Sequence, residues 1–543
     1  MKVRTSRKIV LAAVVVLVAL GLQPGAEAKS SHVLINGSGS SWAANAINQW
    51  VADVAPGLQV VFTANGAAQG RKDFANNTND FGVSDVAFGQ KEPNGSVESK
   101  PDRPYAYLPI AAGGTSLPYH VEVAGKMVRN IRLSGETVAK IFTNQITNWN
   151  DAAITKDNNG HALPSIPIIP VVHSEGAGVT NQFTRWMDKM YPSIWRACNG
   201  AAGQTQYYPL NCGKDSGPMK AQSGSDGVMN FIKNKGANGS IGMEEYSYPL
   251  LSNFPAVKLL NKAGYYTLPT QYNVAVALTR AIINNDPSSP DYLTQNLDNV
   301  YTNPDKRTYE LSSYVYAIIP TGTSPAEKRE TTAKRQTIAD FLYYSICQGQ
   351  SEIGRIGYSS LPINLVTAGF SQIAKLRTAD PGVNLTNRNV STCHNPTFIA
   401  GKPKVNHLAQ IAPQPPACDK IGAGPCLAGQ GAYNGSNPSD AANAAAGGGS
   451  GDDAGTGPGA GAGGTAPPVA TGGGDPSLGL GATTGNGSDA AQAGAVVPTT
   501  LAAEADSGPS SLLTIVLVGL LLLVVAVPAG IGGLVVRRRG GVS

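Results

Sequence analysis

Ile35-Asn36-Gly37-Ser38-Gly39-Ser40-Ser41-Trp42 is the stretch on which the reading of this chain turns. A short apolar strand, Val33–Ile35, runs into Gly and Ser, and Ala44–Val54 follows with Ile47, Trp50, Val51 and Val54 at helical spacing. Strand, small-residue turn and helix in that order place the helix N-terminus, with its unpaired backbone N–H groups, beside the turn. The pattern then repeats. Leu58–Thr63 reads as a second strand ending at Gly66, Ala67–Asn76 as a helix, and Asp80–Val86 as a third strand. Such alternation predicts an α/β sheet whose turns gather at the strand C-terminal ends, where ligands meet helix N-termini.

The body over residues 31–400 has mixed composition, and about 370 residues exceed what one core holds, so two lobes are expected. The ends differ from it. Met1–Ala28 carries Lys2, Arg4, Arg7 and Lys8, then apolar Ile9–Leu22, then Ala26-Glu27-Ala28, which reads as a cleaved export signal (1–28). Leu512–Val536 is almost continuously apolar and is followed by Arg537, Arg538 and Arg539; segment 511–536 is expected to cross the membrane once, with 537–543 as a basic cytoplasmic tail. The body is then extracellular, held at the cell membrane. Residues 401–433 contain Pro and Cys and look appended. Residues 434–509 are rich in Gly, Ala, Ser and Thr, cannot bury enough surface to order themselves, and read as a disordered stalk.

The net charge of +5 is spread out, and no basic stripe interleaved with aromatics marks a nucleic-acid face. The six cysteines lie between the two terminal segments, in a compartment that permits disulfides. Proximity favours Cys198–Cys212 and Cys418–Cys426, leaving Cys347–Cys393; free thiols are the alternative. No Cys-x-x-Cys pair suggests zinc, and neither metal nor cofactor is expected.

Three segments carry a family resemblance. They are Gly37–Trp42; Gly66-Ala67-Ala68-Gln69-Gly70-Arg71 with Asp80-Phe81-Gly82-Val83-Ser84-Asp85; and Val172-His173-Ser174-Glu175-Gly176-Ala177-Gly178-Val179-Thr180. Together with Leu133–Thr137, Gly239–Tyr246, Leu311–Tyr314 and Tyr358–Pro362, they resemble the phosphate-binding receptors of the PstS family over roughly residues 33–370. The resemblance implies a two-lobed periplasmic-binding-protein fold of type II within 29–400. Lobe one would comprise about 31–110 and 270–400, and lobe two about 112–265. Crossover strands are expected near 108–118 and 265–275.

The resemblance also implies a ligand set. Asp85 takes the place of a carboxylate that accepts the proton phosphate keeps near neutral pH and sulfate lacks, which discriminates by repulsion. Ser41 keeps a hydroxyl, Trp42 a backbone donor, and Gly66, Gly176 and Gly178 keep the turns. Ala67, Ala177 and Val179 stand where the family has hydroxyls, with Thr180 and Ser174 beside them. Glu175 replaces the acidic partner of a binding arginine, and His173 replaces that arginine. His173 is either a protonated donor favoured by Glu175 or a neutral hydrogen-bonded residue. Arg71 is either a substitute cation or a solvated helix residue.

Two functions remain open. One is a receptor that binds phosphate or a related oxyanion for an ABC permease. The other is a degenerate domain serving as a surface sensor, adhesin or assembly module. No His-Glu-x-x-His, Gly-x-Ser-x-Gly or Walker loop points to an enzyme, and a Ser41/His173/Asp85 triad is a chance combination.

Overall fold

The computed structural model describes residues 32–212, 219–323, 327 and 329–426. The expected export segment, stalk, apolar segment 511–536, basic tail and residues 427–433 lie outside them. Among the described residues no helix is long and apolar enough to cross a membrane. All described residues belong to one compact unit, Met1–Asp453; a second unit, Ala454–Ser543, contains none of them.

The part of the chain expected as lobe one begins with β1 (Ile35–Gly39), α1 (Ala44–Val54), β2 (Val60–Thr63), α2 (Ala67–Ala75) and β3 (Phe81–Ser84), and the long β4 (Tyr105–Ser116) leads out of it. The glycine-rich stretch read as a turn is largely strand. β1 is paired on both sides, with β2 and β3, and every residue from Ile35 to Gly39 takes part. Gly37 is glycine for a steric reason: a side chain there would enter the Phe81 ring, about 2 Å away.

The part expected as lobe two holds β5 (Arg132–Leu133), α3 (Gly135–Phe142), β6 (Ile169–His173), α4 (Gly178–Met190), β7 (Lys220–Gln222), α5 (Gly224–Lys233) and β8 (Ser240–Gly242). Its parallel three-stranded sheet runs β8-β6-β7. Then β9 (Glu244–Glu245) pairs with β4 at Thr115 and Ser116, so residues inside the span expected as lobe two join the six-stranded sheet.

The chain returns through β10 (Lys258–Leu260) and β11 (Tyr266–Thr267), which with β5 form a sheet ordered β11-β10-β5. Within the span 265–275 only Tyr266–Thr267 is strand. Thr270 caps α6 (Gln271–Leu278) through its hydroxyl and converts the rest of that span to helix. β12 (Ser312–Pro320), α7 (Thr332–Ile346), α8 (Ile363–Ala379) and the short α9 (His407–Ile411) complete the described chain. β12 is antiparallel to both β3 and β4, closing a six-stranded sheet β9-β4-β12-β3-β1-β2. One main hydrophobic cluster runs from Ile35 to Cys393 and includes Trp42, Trp50, Trp149, Trp186 and Trp195, so a single core extends through the whole body.

All three disulfides expected from proximity form: Cys198–Cys212, Cys347–Cys393 and Cys418–Cys426. Cys347–Cys393 ties the end of α7 to a segment 46 positions on. Closing such a loop removes about 4 kcal/mol of unfolded-state entropy. Cys347→Ser/Cys393→Ser should therefore lose about 2–4 kcal/mol, read as a lower urea midpoint with a steeper slope, because the uncrosslinked unfolded chain exposes more surface.

Candidate functional site

Helix starts define the site. Several helices elsewhere are capped by side chains, α3 by Ser134, α6 by Thr270, α7 by Thr331 and α9 by Asn406, while α1 and α8 are not. Four starts at the junction of the lobes have no side-chain cap. They are the 3-10 turn Ser41–Ala43 after Ser40, α2 after Gly66, α4 after Ala177, and α5 after Ser223. An uncapped start presents backbone N–H groups and the positive end of the helix dipole.

Contacts bring the four together. Ala68 N–H, in the first turn of α2, donates to Gly176 O at 3.0 Å. Ser41 Oγ lies 2.9 Å from Ser225 Oγ and accepts Ser225 N–H at 3.2 Å. Gly224 N–H, opening α5, donates to Glu175 Oε2 at 3.1 Å. A side chain at Gly66 would reach Glu175 Cγ.

Asp85 stands against the start of α4. A Cβ on Gly178 would sit 1.9 Å from Asp85 Oδ2, so only glycine fits. Ser40 Oγ donates to Oδ2 at 2.7 Å, while Oδ1 is buried with no hydrogen-bond partner. Burial pushes the carboxyl up to about 6, opposed by the Ser40 hydroxyl, the Asp85 backbone N–H, Arg71 and His173. Thr180 Oγ1, one helical position beyond Val179, is also buried and unpartnered. A lone acceptor beside open N–H donors suits a ligand that is anionic yet carries a proton.

His173 is fully buried and gives both ring nitrogens to carboxylates. Nδ1 is 2.7 Å from Glu175 Oε1, and Nε2 is 2.8 Å from Glu244 Oε1, an ion pair without good hydrogen-bond alignment. Burial works against the imidazolium, but Glu244 and Glu175 outweigh it and push its pKa up to about 10. Burial likewise opposes ionisation of Glu175, yet His173 and Gly224 N–H hold its pKa below the usual range. Adjacent Glu245, on β9, is pushed up to about 8 by burial. With both nitrogens taken by carboxylates, His173 is no general base for Ser41.

Arg71 is neither solvated nor free. Its Nε donates to Glu98 at 3.1 and 2.9 Å, Nη1 to Ser84 Oγ at 2.8 Å, and Nη2 to Gln206 Oε1 at 2.6 Å. Trp42 turns its ring to the core, edge-on to Tyr358 and against Gly113, so the backbone remains its means of contact with the site. Gly66, Ala67, Gly176, Ala177, Gly178 and Val179 are all buried around the same turns. The sequence reading missed Ser40, Gly224, Ser225 and Glu244. Ser223-Gly224-Ser225 could have been found as a helix start; nothing local singled out Glu244.

Residues 26–348 match a family described as a PBP superfamily domain. The phosphate-binding protein PstS of Xylella fastidiosa is 28% identical over 346 residues, covering 63% of this chain and 85% of that protein. The phosphate-binding protein PstS 3 of Mycobacterium tuberculosis is 28% identical over 335 residues, covering 60% and 82%. A solved phosphate-binding protein from Stenotrophomonas maltophilia aligns at 16% identity and a TM-score of 0.45, over 62% of this chain and 93% of that one.

Proposed function

This chain belongs to the PBP superfamily, and on that premise we propose that it is an extracytoplasmic receptor binding phosphate between its lobes. The observation that carries the reading is Asp85 Oδ1, a buried acceptor with no partner, beside helix starts that offer uncapped N–H groups. Phosphate satisfies both: its charge meets the N–H groups and its proton meets the carboxylate. Sulfate leaves the carboxylate facing a bare oxygen. Hydrogen bonds to charged groups are worth about 1.5–3 kcal/mol each, so that one mismatch costs roughly 10- to 150-fold.

Calorimetry on the chain should give heat with phosphate and at least ~10-fold weaker binding of sulfate. Absence of heat with millimolar phosphate, or equal affinity for sulfate, overturns the reading. The sequence of the two termini supports export and a single C-terminal membrane anchor, with delivery to an ABC permease as the role of a tethered receptor. No catalytic step is assigned.

One observation favours the second reading, a surface module that does not bind phosphate tightly. Protein groups already take part of the donor set: Glu175 holds Gly224 N–H, and Gly176 O holds Ala68 N–H. The same titration separates the two readings.

A further inference from the structure

The segment that follows the family-like body crosses from one lobe to the other. At its start it belongs to the first lobe. Thr397 Oγ1 donates to Leu361 O at 2.7 Å, and His407 N–H to Thr397 O at 2.9 Å. α9 lies on α6, where Leu408 and Ala412 pack with Tyr272, Ala275 and Val276. Arg307 Nη1 holds the carbonyls of Ala409 and Ala412 at 3.1 and 3.2 Å. α6 in turn rests on β4 and β12.

Its end belongs to the β11-β10-β5 sheet on the far side of the return crossing. Buried Asp419 takes Lys258 Nζ, from β10, on both oxygens at 2.9 and 2.7 Å. Arg132, from β5, donates through Nη1 to Cys418 O at 2.9 Å and through Nη2 to Ala423 O. Its guanidinium also stacks 4.4 Å over the Tyr266 ring. Ile421 N–H donates to Gly264 O at 2.9 Å, on the crossing itself. Cys418–Cys426 closes the loop that makes these contacts.

We infer that residues 401–426 splint the hinge, adding a further link between the lobes and restraining the cleft from opening. Rotation of one lobe against the other must shift α6 relative to β5 and β10. The chain crossings alone permit that by bending. The splint resists it, because its two ends are held on both sides by short polar contacts and a packed helix, which a shift of an ångström or two would break. The inference does not depend on which anion the cleft takes.

Amide hydrogen exchange on the full chain, without phosphate, tests it. Ala68 N–H reports opening, because its acceptor, Gly176 O, lies on the other lobe. In a triple variant, Asp419→Asn with Cys418→Ser/Cys426→Ser, Ala68 and Ile421 should both exchange about 10-fold faster than in the wild type. Amides of the β4–β12 pairing should be unchanged. If Ala68 keeps its wild-type rate, whatever happens at Ile421, the segment is an appendage and not a splint. A rise that extends equally to the β4–β12 amides also overturns the inference, since that is general destabilisation. Should the triple variant fail to fold, Lys258→Met is read by the same outcomes.

Discussion

Gly178→Ala should lower phosphate affinity by at least ~100-fold and cost about 1–3 kcal/mol of stability. The added methyl would lie 1.9 Å from Asp85 Oδ2 and 2.5 Å from its Cγ. Neither side can give easily. Gly178 is fixed as the first residue of α4, and the short Asp85 side chain is held by Ser40 at 2.7 Å. The carboxylate must leave the start of α4, and with it goes the acceptor on which proton recognition rests. Calorimetry with phosphate and urea denaturation read the two effects separately. The double variant Gly178→Ala/Asp85→Ala should regain most of the stability and none of the affinity, because the clash is gone and the acceptor with it. Recovery of affinity in the double variant would show that Asp85 is not the acceptor.

His173→Leu should cost about 3–5 kcal/mol, since it leaves Glu175 and Glu244 without the cation buried between them. The effect has a pH signature whose sign follows from linkage. The imidazolium is favoured in the folded protein, with a pKa of about 10 against the ordinary value of 6.5. Its contribution is therefore complete below about pH 6.5 and lost as pH rises through about 10. Urea midpoints of wild type and variant, measured from pH 6 to 10.5, should converge toward the alkaline end. A gap that stays constant over that range would mean that His173 acts by packing alone.

These two residues also show where sequence reading stops. The helix Ala44–Val54 was legible to its ends because four apolar residues recur at its spacing. β1 was not, because Gly and Ser at 37–39 carry the composition of a turn. They enter a strand only because two other strands hydrogen-bond to them and the Phe81 ring covers Gly37. The turns of the site could be found from their glycines. The state of His173 could not be decided, because half of it depends on Glu244, which no pattern connects to the turn. Arg71 is not the solvated helix residue that one reading made it, since Glu98, Ser84 and Gln206 arrive from three other places in the chain. Periodicity reports which face a residue occupies; it does not report which distant partner completes its charge.

The four helix starts without side-chain caps bear on how such a site changes through descent. Its pull on an anion is carried by peptide N–H groups, which no substitution except proline deletes. Substitutions that remove a hydroxyl from the lining can therefore accumulate without erasing the attraction in one step. Selection has most to act on where a side chain must be missing. Gly178 is such a place, and a lineage could exchange much of the cleft's lining before it could exchange that hydrogen.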